Sequence, residues 1–445
     1  MRKLIPVLFL LAGALTAVAG QTRPNVIVIL SDDQGTIDAN CYGAKDLTTP
    51  AIDALAERGV RFTQFYAAAP ICSASRAGLL TGRYPWLCGM PANAAAPPPE
   101  NVDDLAEIKG EPNTFAQQTT LSEAFHAAGY ATAHVGKWHL NYGPGSKPLD
   151  QGFDYSFGHM DGCIDNYSHM FYWAGPNRHD LWENNKRVHH PGRFFPDLAV
   201  EKATAFLEKT RGKPFLMYFA INLPHYPYQG EPKWLEHYKK LPYPRNLYAA
   251  FVSTMDERVG ALVKAVDRLG LRENTIIVYQ SDHGHSTEAR AHFGGGDNGI
   301  YRGAKASVFE GGLRVPAIIS WPGSLPQGQV RGQMAHGCDW MPTVAELCGV
   351  KLPANLDGRS LVNVIRSADA KSPHDVLQWQ LGNQWAVRRG PWKLMHQPRA
   401  NADGPPLGKD DKKWFLANLD ENPGETKNHA AEKPDIVKQL QALKR

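Results

Sequence analysis

The run Asn25-Val26-Ile27-Val28-Ile29-Leu30 leaves this chain few choices. It is apolar at alternate and intervening positions alike and rich in β-branched residues. As a strand it must be covered on both faces, the situation of a parallel strand between layers of helices. Similar runs recur at Ala131–Val135, Phe215–Ile221, Thr275–Gln280 and Val315–Ser320, with Val60–Tyr66 as a further strand. Helical patterns separate them. Thr49-Pro50 opens a helix that ends at Gly59, and the capping box Thr120-Leu121-Ser122-Glu123 opens another that ends near Gly129. Leu198–Leu207, Asn246–Leu269 and Met341–Cys348 continue the alternation. Strands alternating with helices predict an α/β fold around a mainly parallel sheet.

From about Ser367 the pattern changes to short runs at Val376–Gln380, Trp385–Arg388, Trp392–Met395 and Trp414–Leu419, closed by a helix over Pro434–Leu443. Turn signals between the runs predict a small antiparallel sheet. The expected organisation is therefore a leader at residues 1–20, a large domain over 21–366 and a C-terminal subdomain over 367–445. The leader has a basic start (Arg2, Lys3), an apolar stretch from Leu4 to Leu15 and the small-residue site Ala17-Val18-Ala19. That pattern predicts export with cleavage, to a periplasm or the extracellular space. No later apolar run is long enough to cross a bilayer, so no integral membrane segment is expected after cleavage. A formal charge of +4 over 445 residues gives no electrostatic reason to expect a nucleic-acid partner. Six cysteines without any C-x-x-C spacing argue against a zinc ribbon and leave disulfide pairing open.

Two acidic turns follow two of the apolar strands: Ser31-Asp32-Asp33-Gln34-Gly35 and Ser281-Asp282-His283-Gly284-His285. The carboxyl ends of parallel strands are where open α/β sheets bind ligands. Adjacent carboxylates repel unless a cation lies between them, so a divalent ion with oxygen ligands is one reading and an Asx-turn the other. Both turns at neighbouring strand ends favour the ion.

A third stretch, Pro70-Ile71-Cys72-Ser73-Ala74-Ser75-Arg76 to Gly82-Arg83, reads as a loop turning into a short helix. Ser73 or Ser75 can cap it and Gly82 suits a left-handed exit. Cys72 then sits at a helix N-terminus, where free amides favour negative charge, with Arg76 one turn on. Lys137 and His139 share a face of an extended segment. His225 lies between Pro224 and Pro227, in a stiff loop after a strand. Residues 151–190 are dense in aromatic, His and Asp side chains, among them Asp161, Asp165, His169 and Trp182. Such a stretch suits a sugar ring, or equally a long loop folded on its own core. The segment from Ala92 to Glu111 reads as an exposed insertion.

Cys72-Ser73-Ala74-Ser75-Arg76, followed by Leu79-Leu80-Thr81-Gly82-Arg83, resembles the signature of type I sulfatases of the alkaline phosphatase superfamily. Ala74 stands where the commonest form of the motif has Pro, which leaves the maturing enzyme open: a formylglycine-generating enzyme or another sulfatase maturase. Further matches are Lys137-Trp138-His139, His225, Asp282-His283, and Phe309-Glu310-Gly311-Gly312-Leu313-Arg314 beyond Lys305; Leu419 to Thr426 matches the family's C-terminal part.

The resemblance implies an alkaline-phosphatase-like sandwich with a smaller C-terminal α+β subdomain. It implies conversion of Cys72 to Cα-formylglycine, whose hydrate attacks sulfur. Asp32, Asp33, residue 72, Asp282 and His283 would hold one ion, Ca2+ with Mg2+ as the alternative. His283 stands where many members have Asn. Arg76, Lys137 and Lys305 would neutralise the sulfate, His139 would bond the hydrate, and His225 or Lys305 would protonate the departing alcohol. The implied substrate is a sulfated small molecule or carbohydrate. The alternatives are an arylsulfatase of broad specificity, a phosphomonoesterase or phosphodiesterase of the same superfamily, and a non-catalytic binder of sulfated sugars.

Overall fold

A computed structural model of the chain describes residues 23–94, 99–173, 175–402 and 404–445. The expected leader, residues 1–20, lies outside the described residues. Asn25–Ser31 is a strand with every residue buried. It pairs in parallel with Phe215–Ala220 on one side and Thr275–Ser281 on the other. Ala131–Lys137 and Tyr155–His159 extend the parallel block beyond Phe215–Ala220. The whole sheet has ten strands, in the order of starting residues 329, 60, 317, 275, 25, 215, 131, 155, 182 and 186.

Alternation along the central strand explains the two layers of helices. Val26, Val28 and Leu30 face one core, with Ala77, Leu79, Leu80, Trp340 and Val344. Ile27 and Ile29 face a second core, with Ile52, Leu198, Phe206, Val252 and Val259. Both faces are thus dry, as the unbroken apolar run requires, each fully buried Ile or Leu contributing about 1.5–3 kcal/mol. The helices on the second face are Pro50–Glu57, Phe195–Lys209 and Arg245–Arg268. The capping box at Thr120 and Glu123 forms as expected and opens Leu121–Ala127.

Several expectations are corrected. The run Val315–Ser320 yields a strand only over Ala317–Ser320, and it pairs antiparallel with Thr275–Ser281. An apolar run reports burial on two faces but not direction, which is set by the connection. Val60–Tyr66 splits into Val60–Phe62 in the large sheet and Phe65–Tyr66 in a separate two-stranded pairing.

The C-terminal part forms a four-stranded antiparallel sheet of Val376–Leu381, Gln384–Arg389, Trp392–His396 and Trp414–Asn418, in sequence order. One face packs Leu377, Trp379, Met395 and Phe415 against Tyr66, Phe309 and Leu313. The other packs Val387, Leu394 and Leu416 against Leu440 of the closing helix Pro434–Gln441. Among the described residues, no helix is long and apolar enough to cross a membrane.

Candidate active site

The carboxyl ends of the parallel strands converge on Cys72. Asp32 and Asp33 follow Ser31, Asp282 and His283 follow Ser281, and Lys137 ends its own strand. His225 lies beyond Ala220, and Asp161 just beyond His159. Cys72 is the first residue of the helix Cys72–Thr81, and all ten residues of that helix are buried. Gly82 takes the left-handed exit at φ 63°.

The expected serine cap is not there. Ile71 is the capping residue and offers no side-chain bond. The Ser73 amide instead donates to Asn93 Oδ1 at 3.1 Å, and Ser73 Oγ accepts from the Ala94 amide at 2.9 Å. Asn93 and Ala94 belong to the segment read as an exposed insertion. Its first residues close the helix N-terminus and line the cavity above Cys72.

Every charge at the centre has an opposite neighbour. Lys137 Nζ lies 2.6 Å from Asp32 Oδ2. Arg76 Nη2 lies 3.0 Å from Asp282 Oδ2 and 3.5 Å from Asp32 Oδ1. Lys305 Nζ lies 3.1 Å from Asp33 Oδ2, 3.3 Å from Glu288 Oε2 and 3.5 Å from His225 Nε2. Cys72 Sγ is 3.2 Å from His283 Nε2 and 3.9 Å from Asp32 Oδ1. Asp33 and His139 adopt left-handed backbone, at φ 62° and 51°. Such strain is tolerated only where surrounding contacts enforce it. At His139 the strand has already stopped, so the turn rather than extended alternation brings the ring into the cavity, against Gly162.

These neighbours set the protonation states. Burial opposes the charge on Asp32, yet Lys137, His225 and Arg76 hold its carboxyl well below the usual range. Burial pushes Asp33 up to about 8 against the pull of Lys305. Cys72 is buried as well, but Lys137, Lys305 and His283 bring its thiol down to about 6. Burial and the two lysines hold His225 well below its ordinary value. Its Nδ1–H donates to the Tyr226 carbonyl at 2.7 Å, which leaves the Nε2 lone pair facing Lys305. The proton at this end of the site therefore resides on Lys305.

The donor set fits a divalent cation. Ligand atoms of Asp32, Asp33, Cys72 and His283 all lie within 4.8 Å of one another. Asp33 Oδ1 is buried without a hydrogen-bond partner. His283 Nδ1 donates to the Gly284 carbonyl at 2.9 Å, so Nε2 points to the cluster, the orientation expected of a ligating imidazole. Burial disfavours charge on His283, but Asp282 and Cys72 raise it to about 10. A proton there occupies the place for which an ion competes. Asp282 stands beside this group: one oxygen accepts from the Asp33 amide at 3.1 Å and lies 3.6 Å from His283 Nε2, the other meets Arg76. Predominantly carboxylate oxygens suit Ca2+ or Mg2+.

A cavity of about 510 Å³ opens over this centre, lined by Cys72, His139, His225 and Lys305. Of the four residues expected to meet substrate, only Asp161 lines it. The other three do not line it and are engaged within the fold. Asp165 accepts bonds from the Tyr167 and Ser168 amides and from Gln229. His169 donates to the Arg193 carbonyl at 2.9 Å. Trp182 is buried, bonded to Asp180, with the Arg187 guanidinium over its ring. The stretch is both a wall of the cavity and a loop with its own core, and composition cannot separate the two sets. Glu288, Tyr226 and Arg178 line the cavity without any preceding sequence signal.

The sequence profile described as Sulfatase matches residues 24–350, and that described as N-sulphoglucosamine sulphohydrolase, C-terminal, matches residues 296–444. Arylsulfatase A of Bos taurus is 32% identical, covering 98% of this chain and 91% of its own. N-acetylgalactosamine-6-sulfatase of Rattus norvegicus is 35% identical, covering 81% of this chain and 68% of its own. A solved structure of Ps i-CgsB in complex with k-i-k-neocarrahexaose is 27% identical, with a TM-score of 0.81, covering 94% of this chain and 91% of that one.

Proposed function

The chain belongs to the sulfatase family of the alkaline phosphatase superfamily and is a sulfate-ester hydrolase, and we propose that it works on sulfated carbohydrates through residue 72 as formylglycine with one divalent ion. The observation that carries this reading is the convergence of Cys72, three cations and three carboxylates from strand ends, a helix and a loop far apart in sequence on one buried point.

Residue 72 as a hydrated aldehyde would supply the nucleophilic hydroxyl, and Asp32, Asp33, Asp282 and His283 would hold a divalent ion that would supply Lewis acidity. The remaining work falls to this chain's side chains. Arg76 and Lys137 are held in place by Asp282 and Asp32, so their charge is preorganised for the negative charge that grows on the sulfate. Lys305 enters the cavity itself and carries the proton that His225 lacks. It donates to the ester oxygen as the alcohol leaves, directly or through His225 Nε2. His139, which also lines the cavity, orients the nucleophile. The sugar assignment is supported by a cavity large enough for a sugar unit, with Phe171, Trp173 and Tyr226 in its wall. It is supported also by the names of the relatives, one acting on N-acetylgalactosamine 6-sulfate and one holding a neocarrahexaose. Export is proposed on the leader pattern of residues 1–20.

The test is turnover of para-nitrophenyl sulfate against para-nitrophenyl phosphate by protein matured in a host with a sulfatase-maturing enzyme, with mass analysis of the peptide holding residue 72. The expected result is preferential sulfate release and an aldehyde at residue 72. Preferential phosphate release overturns the reading in favour of the phosphatase branch. A retained thiol with no turnover of either ester leaves only a binder.

A further inference from the structure

The cations of the reaction centre are each matched by a carboxylate of this chain: Lys137 by Asp32, Arg76 by Asp282, Lys305 by Asp33 and Glu288. One further cation lines the same cavity, Arg178. It lies in the short antiparallel pairing of Met170–Phe171 with Arg178–His179, opposite Phe171, which is also a lining residue. Among the described residues the Arg178 side chain makes no hydrogen bond, close ion pair or ring contact, although its charge is felt by Asp161 and Tyr142. That sets it apart from its neighbour Arg290, whose guanidinium bonds the Tyr172 carbonyl and covers the Trp173 ring at 4.5 Å. Facing the cavity from the same side, Asp161 is 8% exposed, and its Oδ2 is buried without a hydrogen-bond partner.

We propose that Arg178 is the site for a second anionic group, a sulfate or carboxylate, on the sugar whose sulfate is cleaved at residue 72, with Asp161 accepting a hydroxyl of that sugar. The proposal rests on the sulfatase reading and deepens it: the substrate class is an acidic sugar carrying two negative groups. A guanidinium presents a planar fork of donors that matches the oxygens of either group, and such a pair is strong when water is partly excluded. Asp161 feels its charge, but no carboxylate among the described residues closes to ion-pair distance, so the direct partner arrives with the ligand. The Trp173 ring, stiffened by Arg290 and tilted against Tyr226, closes the wall beside it.

The experiment compares kcat/KM for matched pairs of sulfate esters in the matured wild-type enzyme, Arg178→Lys and Arg178→Ala. Each pair is one ester with and without a second anionic group: para-nitrophenyl sulfate with a ring-carboxylated analogue, and monosulfated with disulfated glucosamine and galactose. In the wild type the second anion raises kcat/KM at least about tenfold in one or more pairs, as expected of a charge-assisted bidentate contact. That ratio falls toward unity in Arg178→Ala and is partly kept in Arg178→Lys, with the loss in KM rather than kcat. No preference in any wild-type pair, or the same ratio in Arg178→Ala, overturns the proposal while leaving the sulfatase reading intact. Absence of turnover on every ester, para-nitrophenyl sulfate included, overturns the reaction and this subsite with it.

Discussion

Lys305 is held from three directions. Asp33 and Glu288 fix its ammonium, and Asn401 bonds its carbonyl from the C-terminal part of the chain. Replacing Lys305 by Ala is expected to lower kcat at least about 100-fold, the usual cost of deleting one preorganised donor, with protein of unchanged circular dichroism. Glu288→Gln keeps the shape and removes one anchor, so its expected loss is smaller, about tenfold in kcat. Equal losses in the two variants would show that Lys305 is not itself donating. At the same scale, chelation of divalent ions is expected to abolish turnover and lower Tm, because Asp32, Asp33 and Asp282 are packed within a dry pocket around Cys72. Readdition of Ca2+ should restore both, and turnover that survives exhaustive chelation would remove the ion from the mechanism.

Among the elements, the strand Ala131–Lys137 shows how backbone spacing aims a side chain. Gly136, at φ 121°, sits one residue before Lys137, and a Cβ there would lie 2.0 Å from the Ala220 carbonyl oxygen of the adjacent strand. Gly136→Ala is expected to destabilise the fold by about 3 kcal/mol and to cost activity beyond its effect on Tm, since Lys137 moves with the strand end. Urea unfolding beside residual turnover measures both. The glycines at 311 and 312 carry a related lesson. A Cβ on Gly311 would meet the Gly303 carbonyl at 2.2 Å, and one on Gly312 the Ser307 carbonyl at 2.1 Å. Their smallness lets the loop carrying Lys305 fold against itself.

At the scale of the whole molecule, the C-terminal sheet braces that loop. Gln384 bonds the Val308 amide and the Ala306 carbonyl, and Ser307 bonds the Arg399 carbonyl. Below them a buried ionic cluster joins the two parts: Lys393 Nζ lies 2.9 Å from Glu310 and 3.0 Å from Glu425. Lys393→Met strands two buried carboxylates and is expected to cost about 3–5 kcal/mol, read as a fall in Tm. Burial opposes charge on Glu310, but Lys393, Arg314 and Arg388 bring it down from 4.5 to about 2. A carboxyl lowered on folding contributes stability that is complete above its unfolded value. Stability is therefore expected to fall as pH drops from about 4.5 to about 2, and Glu310→Gln should flatten that part of the curve. An unchanged slope in urea titrations across this range would remove Glu310 from the account.

Local sequence alone determined four strands of the parallel block, though not Tyr155–His159, with most helix ends and the type of chemistry. Apolar runs such as Asn25–Leu30 dictate burial on two faces, Thr120 with Glu123 dictates a helix start, and the stretch from Cys72 to Arg83 carries its family's signature within a few turns of chain. Tertiary structure decided what depends on partners distant in sequence. The reversal of Ala317–Ser320, the closing of the Cys72 helix by Asn93, and the separation of Asp161 from Asp165, His169 and Trp182 all follow from packing across more than ten residues of chain. Arg178 was invisible for the same reason: a cation is ordinary in sequence, and becomes informative only when the other cations around a cavity have found their matches.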